Sequence, residues 1–223
     1  MGGAKNHAIV MPDADVENAV AQLLGAAFGS SGERCMALSV AVAVGDEVAD
    51  LLVQKLSKSM KNLKFGAYTD STNDFGPVIT KQHQQSVINH ISSEEKQGAN
   101  IVVDGRNAIV SGYENGFYVG GTLIDKVTPQ MDSYKAEIFG PVLQIVRVAT
   151  MKDAMSLIDN HEYGNGTCIF TRDGEAARYF SDHIKVGMVG VNIPLPVPVA
   201  YHSFGGWKRS LFGDLHAYGP DSI

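Results

Sequence analysis

The sequence predicts an α/β fold built around a largely parallel β-sheet. Short apolar, β-branched runs alternate along the chain with longer segments whose apolar residues recur at helical spacing, and this alternation is typical of consecutive βαβ units. With 223 residues, 44% of them hydrophobic, the chain is long enough to bury a large core. Neither an internal repeat nor a low-complexity linker divides the sequence, so we expect one domain covering residues 1–223.

The first half of the chain is predicted to contain three helices and two strands. A glycine-rich opening leads into the apolar run 8–10, and Asp15 is then placed to cap a helix whose apolar face extends from Val16 to Phe28. A β-rich run follows at 39–44. Helical spacing returns at 46–60 and at 80–91. The short apolar run 101–103 is predicted to be a buried strand.

The second half of the chain opens with an irregular, glycine-rich segment at 107–129, which we expect to be a loop or a small hairpin. A buried strand is predicted at 142–148. Thr150 and Asp153 have the spacing of a capping box, which predicts a helix directly after that strand. The remaining elements are expected to be a strand at 166–170, a helix at 174–184 and a strand at 188–191. Residues 213–223 are mostly polar and turn-forming.

Composition excludes several classes of function. The formal net charge is −6, so the chain offers no basic surface for nucleic acid or for an anionic membrane. No apolar run approaches the roughly 18 residues that span a bilayer. The two cysteines, Cys35 and Cys168, are too few for a disulfide framework and favour a reducing compartment. The histidines lack metal-ligand spacing, so no metal site is expected, and His83 and His90 are expected on the surface of one helix.

The segment 28–37 has the features of a reactive cysteine. A capped helix runs into small, flexible residues, and Cys35 follows directly after Arg34. The thiolate is the reactive form of cysteine, and a neighbouring cation lowers the thiol pKa. Small residues also allow backbone N–H groups to approach a reacting oxygen. The alternative is that Cys35 is a small buried hydrophobic residue, as most free cysteines are.

Four sequence motifs together resemble those of aldehyde dehydrogenases. Gly32-Glu33-Arg34-Cys35 is similar to the cysteine motif of that family, and three further motifs agree with it in order and approximate spacing. These are found at 137–142, 163–166 and 204–210. The resemblance extends over nearly the whole chain, and it implies the three-layer α/β catalytic domain of that family.

Within the family, the likeness is to the branch that oxidises malonate or methylmalonate semialdehyde with NAD and transfers the acyl group to coenzyme A. The segments that indicate this branch are 4–7, 10–14, 35–39, 113–116 and 194–198. The resemblance implies that Cys35 is the nucleophile, that Glu137 binds the nicotinamide-ribose hydroxyls and that Phe139 packs beside the nicotinamide. Without it, Glu137 would be interpreted as a surface charge and Phe139 as a core aromatic residue.

A separate hypothesis is that Arg34 binds the substrate. A malonate-type semialdehyde has a carboxylate, and a planar guanidinium can bind a carboxylate with two parallel hydrogen bonds. Arg34 is adjacent to the nucleophile, where the far end of such a substrate can reach. The alternative is that Arg34 only supports the loop or the thiolate.

Two parts of the family pattern are expected to be missing from this chain. These are the dinucleotide-binding domain, which would precede residue 1, and a terminal strand through which subunits pair. The position of the family's general-base glutamate falls on Met1, which either reflects the coenzyme-A-dependent branch or results from where the chain was cut. The resemblance implies a homo-oligomeric full-length enzyme, cytoplasmic or alternatively in the mitochondrial matrix. The competing hypotheses are an acid-forming aldehyde dehydrogenase and a catalytically silent isolated domain.

Overall fold

The structure is a computed structural model that describes residues 2–194, 196–199 and 201–213. The strands are β1 (Asn6–Val10), β2 (Leu38–Val44), β3 (Asn100–Val103), β4 (Thr122–Asp125), β5 (Val142–Val148), β6 (Tyr163–Gly164), β7 (Gly166–Phe170), β8 (Met188–Val191) and β9 (Trp207–Lys208). The helices are α1 (Val16–Phe28), α2 (Asp46–Met60), α3 (Lys81–Lys96), α4 (Asp132–Lys135), α5 (Met151–Asp159) and α6 (Gly174–His183).

The centre of the fold is a seven-stranded sheet with the order β3-β4-β5-β2-β1-β7-β8. All neighbouring strands are parallel except β3, which runs antiparallel to β4 at one edge. Strands β6 and β9 form a separate antiparallel pair. The prediction of an α/β fold with a largely parallel sheet is therefore confirmed.

Helices cover both faces of the sheet. Successive side chains of a strand point to opposite faces, and in β1 the side chain of Val10 joins one core while that of Ile9 joins the other. The first core includes Leu23 of α1 and Leu52 of α2. The second core is built from α3, α5 and α6, with Phe180 fully buried. The domain therefore has three layers, as the family resemblance implied.

Local capping residues begin the helices where the sequence predicts them. Asp15 accepts a hydrogen bond from the Asn18 N–H at 3.1 Å and so begins α1. Thr150 and Asp153 form the predicted capping box at the start of α5. The predicted bounds of α2, β7 and β8 agree with the structure.

Three of the predicted elements need correction. Segment 107–129 is not only a loop, because it contains β4, which lies between β3 and β5 in the main sheet. Strand β3 is not buried, because it lies at the sheet edge with Ile101, Val102 and Val103 only partly covered. Helix α3 continues to Lys96, well past the predicted end. The prediction for 213–223 concerns mostly residues outside the described part of the chain.

Neither a membrane span nor a metal-binding cluster is found in the described part of the chain. None of its helices has the length and apolar character that crossing a membrane requires. Among the same residues, no three side chains of His, Cys, Asp or Glu are grouped so that they could hold a metal ion.

Candidate active site

The candidate nucleophile lies where the chain turns from α1 into β2. A 3₁₀ turn at Gly29–Gly32 follows α1, and Ser30, Ser31 and Gly32 have positive φ angles of 52°, 58° and 70°. Only glycine adopts this left-handed region at low cost, so the turn is both tight and strained. It brings Cys35 to an exposed position shortly ahead of β2.

Two buried side-chain amides hold the backbone of Cys35. Asn6 Nδ2 donates to the Cys35 carbonyl at 3.0 Å, and Asn165 Nδ2 donates to the same oxygen at 2.8 Å. Asn6 Oδ1 in turn accepts from the Gly166 N–H at 3.0 Å. Both amides are almost fully buried. The Cys35 carbonyl is therefore tied to the protein interior, while none of the described residues accepts a hydrogen bond from the Cys35 N–H.

The residues of the site come from the amino ends of four neighbouring strands. Cys35 precedes β2, Glu137 and Phe139 precede β5, Asn6 begins β1, and Asn165 precedes β7. The sheet order places β5, β2, β1 and β7 side by side. Because parallel strands start at the same edge of the sheet, segments distant in sequence meet there.

An open cleft of about 270 Å³ lies at this edge. It is lined by Gly2, Ala4, Cys35, Glu137, Phe139 and Asn165. The structure thus brings together three of the four residues singled out in the sequence. The thiol-bearing residue, the carboxylate and the aromatic ring, which is 40% exposed, face one common space.

Glu137 is held at the cleft by the start of β1. Its Oε1 accepts from the Ala4 N–H at 3.1 Å. Its Oε2 lies so close to Gly3 that a Cβ at that position would be 2.9 Å away, so only glycine leaves room for the carboxylate. Burial raises the pKa of the Glu137 carboxyl, while the Ala4 N–H and the Lys5 ammonium act in the opposite direction.

Lys5 ties the segment that carries Glu137 to the interior. Its ammonium, on a residue only 3% exposed, donates to the carbonyls of Ser133 at 2.7 Å and Ala136 at 2.9 Å. Burial lowers the pKa of Lys5 to about 7, against the opposing influence of the Glu94 and Glu137 carboxylates. The consecutive residues Ala4 and Lys5 therefore fix Glu137 through its carboxylate and through the preceding carbonyl.

Behind Lys5, a buried histidine has a defined tautomer. His7 Nδ1 lies 2.7 Å from the Lys5 carbonyl, and Nε2 lies 2.9 Å from the Tyr134 hydroxyl. Burial lowers the pKa of His7 well below its usual value, so the ring is neutral. Since a carbonyl only accepts, Nδ1 carries the proton and Nε2 accepts from Tyr134. This arrangement fixes β1 against α4.

Arg34 lies beside the cleft rather than in its wall. Its Nε donates to Ser30 Oγ at 3.2 Å, and its guanidinium covers Gly29, where a Cβ would be 2.6 Å from Nη2. The residue is exposed. It lines a narrow crevice of about 10 Å³ together with Glu137 and Phe139, so it adjoins the same site from the helix side.

Four residues of the site were missed or misread in the sequence. Lys5 and Asn6 belong to segment 4–7, one of those that indicate the branch of the family, but no individual role was predicted for either of them. Asn165 lies in the motif at 163–166, but no individual role was predicted for it, and it is buried with its side-chain amide bonded to the Cys35 carbonyl. His83 was expected on a solvent-exposed helix face. His83 is half-buried there, and its Nε2 lies 2.6 Å from the Phe139 carbonyl, a partner that the sequence did not predict.

Comparison with known proteins establishes the family. Residues 1–223 match the aldehyde dehydrogenase family over their entire length. The chain belongs to the aldehyde dehydrogenase family. Its motifs at 32–35 and 137–142 are those that carried the resemblance in the sequence, and the fold now agrees with it.

Curated and solved relatives agree in their names. The chain is 66% identical to a malonate-semialdehyde dehydrogenase of Pseudomonas aeruginosa, over all of this chain and 45% of that protein. It is 78% identical, with a TM-score of 0.98, to the crystal structure of a methylmalonate-semialdehyde dehydrogenase from Oceanimonas doudoroffii, over all of this chain and 46% of the other.

A third relative was solved with a nucleotide. This structure, from Sinorhizobium meliloti, is described as a methylmalonate-semialdehyde dehydrogenase complexed with NAD. It is 58% identical to this chain with a TM-score of 0.98, covering all of this chain and 45% of its own. The chain therefore spans about half the length of the relatives it matches.

Proposed function

We propose that the chain is the catalytic domain of a NAD-dependent, coenzyme-A-acylating semialdehyde dehydrogenase. The reaction would convert malonate or methylmalonate semialdehyde, NAD and coenzyme A into acetyl- or propionyl-CoA, carbon dioxide and NADH. The observation that carries the proposal is the single cleft that Cys35, Glu137 and Phe139 share. The names of the relatives support the substrate class, and the NAD complex of one of them supports the nucleotide.

Cys35 performs the covalent chemistry in this proposal. Its thiolate bonds to the aldehyde carbon, and the carbonyl oxygen becomes an oxyanion. The Cys35 N–H, which has no acceptor among the described residues, is available as one donor to that oxygen. Loss of hydride from the same carbon, for which bound NAD would be the acceptor, leaves a thioester on Cys35 that still carries the substrate carboxylate. That carboxylate leaves as carbon dioxide and the α-carbon takes up a proton, which gives an acetyl or propionyl thioester. The thiol of coenzyme A then takes the acyl group and releases the cysteine.

The cleft fits the nicotinamide end of a dinucleotide. A ribose offers two vicinal hydroxyls, and the Glu137 carboxylate, with one oxygen fixed by Ala4, can accept from them. The partly exposed ring of Phe139 offers an apolar surface beside that carboxylate. When bound, NAD supplies the hydride acceptor. The protein's contribution is to hold the ring plane and the ribose against the carbon bonded to Cys35.

Arg34 is proposed to bind the carboxylate of the semialdehyde. Among the described residues only its Nε makes a hydrogen bond, to Ser30 Oγ, so both terminal nitrogens can bind a carboxylate in the bidentate manner that favours arginine. The exposed guanidinium adjoins Glu137 and Phe139 in the crevice next to the cleft.

Coenzyme A rather than water is proposed to release the acyl group. The family position of the general-base glutamate corresponds to Met1, which lies outside the described residues. A methionine has no group that can remove a proton from water, whereas a thiol nucleophile requires no such base at that position.

The domain organisation is a further part of the proposal. Because the relatives are about twice as long as this chain, we propose that a separate dinucleotide-binding domain and a subunit-pairing strand complete the active enzyme. The 223 residues alone are then inactive, and the full-length enzyme is a homo-oligomer. Size-exclusion chromatography of the full-length protein tests the assembly.

The decisive experiment uses the full-length protein with malonate semialdehyde and NAD, in the presence and absence of coenzyme A. Absorbance of NADH follows the reaction, and a Cys35→Ala variant serves as the control. Turnover that requires coenzyme A and disappears in the variant supports both the nucleophile and the acyl acceptor. Sustained turnover without coenzyme A would replace the proposal with the acid-forming reaction. Full activity of Cys35→Ala would remove the nucleophile assignment.

A further inference from the structure

Phe139 has a backbone conformation that its residue type disfavours. Its φ angle is 55°, in the left-handed region where a bulky side chain is rare. Such a conformation persists only when neighbouring groups hold it, and it is concentrated at functional sites. Contacts with neighbouring residues, rather than the backbone preference of phenylalanine, therefore place the ring that faces the cleft.

A histidine on α3 supplies this support. His83 Nε2 lies 2.6 Å from the Phe139 carbonyl, and because a carbonyl only accepts, Nε2 donates the hydrogen bond. The two rings also meet edge to face, with centroids 6.4 Å apart and an interplanar angle of 61°. His83 is itself anchored in the first turn of α3, where its N–H donates to the capping Thr80 Oγ1 at 3.1 Å.

The same histidine also contacts the nucleophile segment. Glu33 Oε1 lies 3.5 Å from His83 Nε2 and accepts from the Ile79 N–H at 3.3 Å. Glu33 is in the turn that leads into Cys35. A second contact joins these segments, because a Cβ on Gly32 would lie 2.2 Å from the Gly140 carbonyl oxygen. His83 therefore lies between the segment that carries the cysteine and the segment that carries Phe139.

We propose that His83 is a positioning residue for the nicotinamide side of the active site. It holds Phe139 in its left-handed conformation through the carbonyl, and the Glu33 carboxylate lies 3.5 Å from the same imidazole nitrogen. The assignment rests on the proposed dehydrogenase function. It gives a role to a half-buried polar residue in the first turn of α3, and it distinguishes Glu33, which lies beside the imidazole, from Arg34.

The test compares His83→Leu with His83→Gln in the full-length enzyme. Leucine removes the donor, so we expect KM for NAD to rise roughly threefold to tenfold, the range produced by loss of one hydrogen bond. KM for the semialdehyde and the melting temperature should change little. Glutamine keeps an N–H donor and should restore most of the affinity. Gln85→Leu, an exposed position on the same helix, is the matched control.

A double-mutant cycle separates action through Phe139 from any direct contact with the nucleotide. If His83 acts through Phe139, then His83→Leu has little further effect on KM for NAD once Phe139→Ala is present. Additive effects of the two substitutions would overturn the proposal, as would a fall in kcat and melting temperature with KM for NAD unchanged.

Two controls keep the outcome interpretable. Should His83→Leu fail to fold, Glu33→Gln replaces it. We expect this variant to raise KM for NAD in the same direction by roughly twofold, and a wild-type value would contradict the role of the pair. If the unmodified enzyme shows no NAD-dependent activity at all, it is the proposed function that fails.

Discussion

At the scale of single residues, the proposed substrate carboxylate would bind at Arg34, next to Cys35. The Arg34 guanidinium is exposed, and its Nε donates a hydrogen bond to Ser30 Oγ. The absence of a side chain at Gly29 leaves the space that the guanidinium covers. Since the same residue adjoins Glu137 and Phe139, a carboxylate bound there would lie close to the reacting carbon.

Arg34→Lys should therefore raise KM for malonate semialdehyde by roughly tenfold, because lysine keeps the charge but loses the bidentate geometry. Steady-state kinetics of the full-length enzyme measure this. Propionaldehyde, which has no carboxylate, is the matched control, and its KM should be the same in both proteins. An unchanged KM for malonate semialdehyde would mean that Arg34 only supports the turn.

At the scale of elements, the 3₁₀ turn after α1 determines where Cys35 lies. Gly32 has a φ angle of 70°, and a Cβ there would lie 2.2 Å from the Gly140 carbonyl oxygen. Gly25 lies within α1 on its exposed face, and no atom lies within 4 Å of a Cβ added there. Position 32 therefore requires glycine, whereas position 25 has room for a side chain, although the two lie close together in sequence.

We expect Gly32→Ala to lower the free energy of unfolding by about 1–3 kcal/mol or more, because both the backbone angle and the contact are unfavourable. Gly25→Ala should instead raise it by about 0.5–1 kcal/mol, since alanine is the better residue inside a helix. Urea denaturation of the 223-residue chain measures both changes. Equal effects of the two substitutions would show that the turn tolerates a side chain.

At the scale of the whole molecule, the sheet leaves one cysteine exposed and buries the other. Cys35 is exposed at the amino-end edge of the sheet, whereas Cys168 is completely buried in β7 between β1 and β8. Burial raises the pKa of the Cys168 thiol far above its ordinary value. Only global opening of the sheet would expose it to a reagent.

Iodoacetamide should accordingly modify Cys35 alone in the native chain, with Cys168 modified only after unfolding in urea. Peptide mass spectrometry identifies the labelled residue. A Cys35→Ser variant should take up no label under native conditions and one label when unfolded. Comparable labelling of both cysteines in the native chain would contradict the buried position of β7.

Much of the fold follows from local sequence patterns. Helical periodicity and capping residues predict α1, α2 and α5, and continuous apolar runs predict β2, β5 and β7. Strand β4 was not predicted because Gly120 and Gly121 directly precede it, and it was therefore assigned to the irregular segment 107–129. The edge position of β3 was not predicted either, since an apolar run does not reveal how many neighbouring strands a strand has.

The sequence by itself determined most of the element types and, through its motifs, the family, and it singled out Cys35 as the candidate nucleophile. Only the tertiary structure decided which side chains share the site. The strand order places the segments before β5, β2, β1 and β7 side by side, and no local pattern encodes that order. The contact between His83 and Phe139 also depends on the tertiary structure. Helix α3 and the Phe139 segment are far apart in sequence, and packing against the sheet brings them into contact.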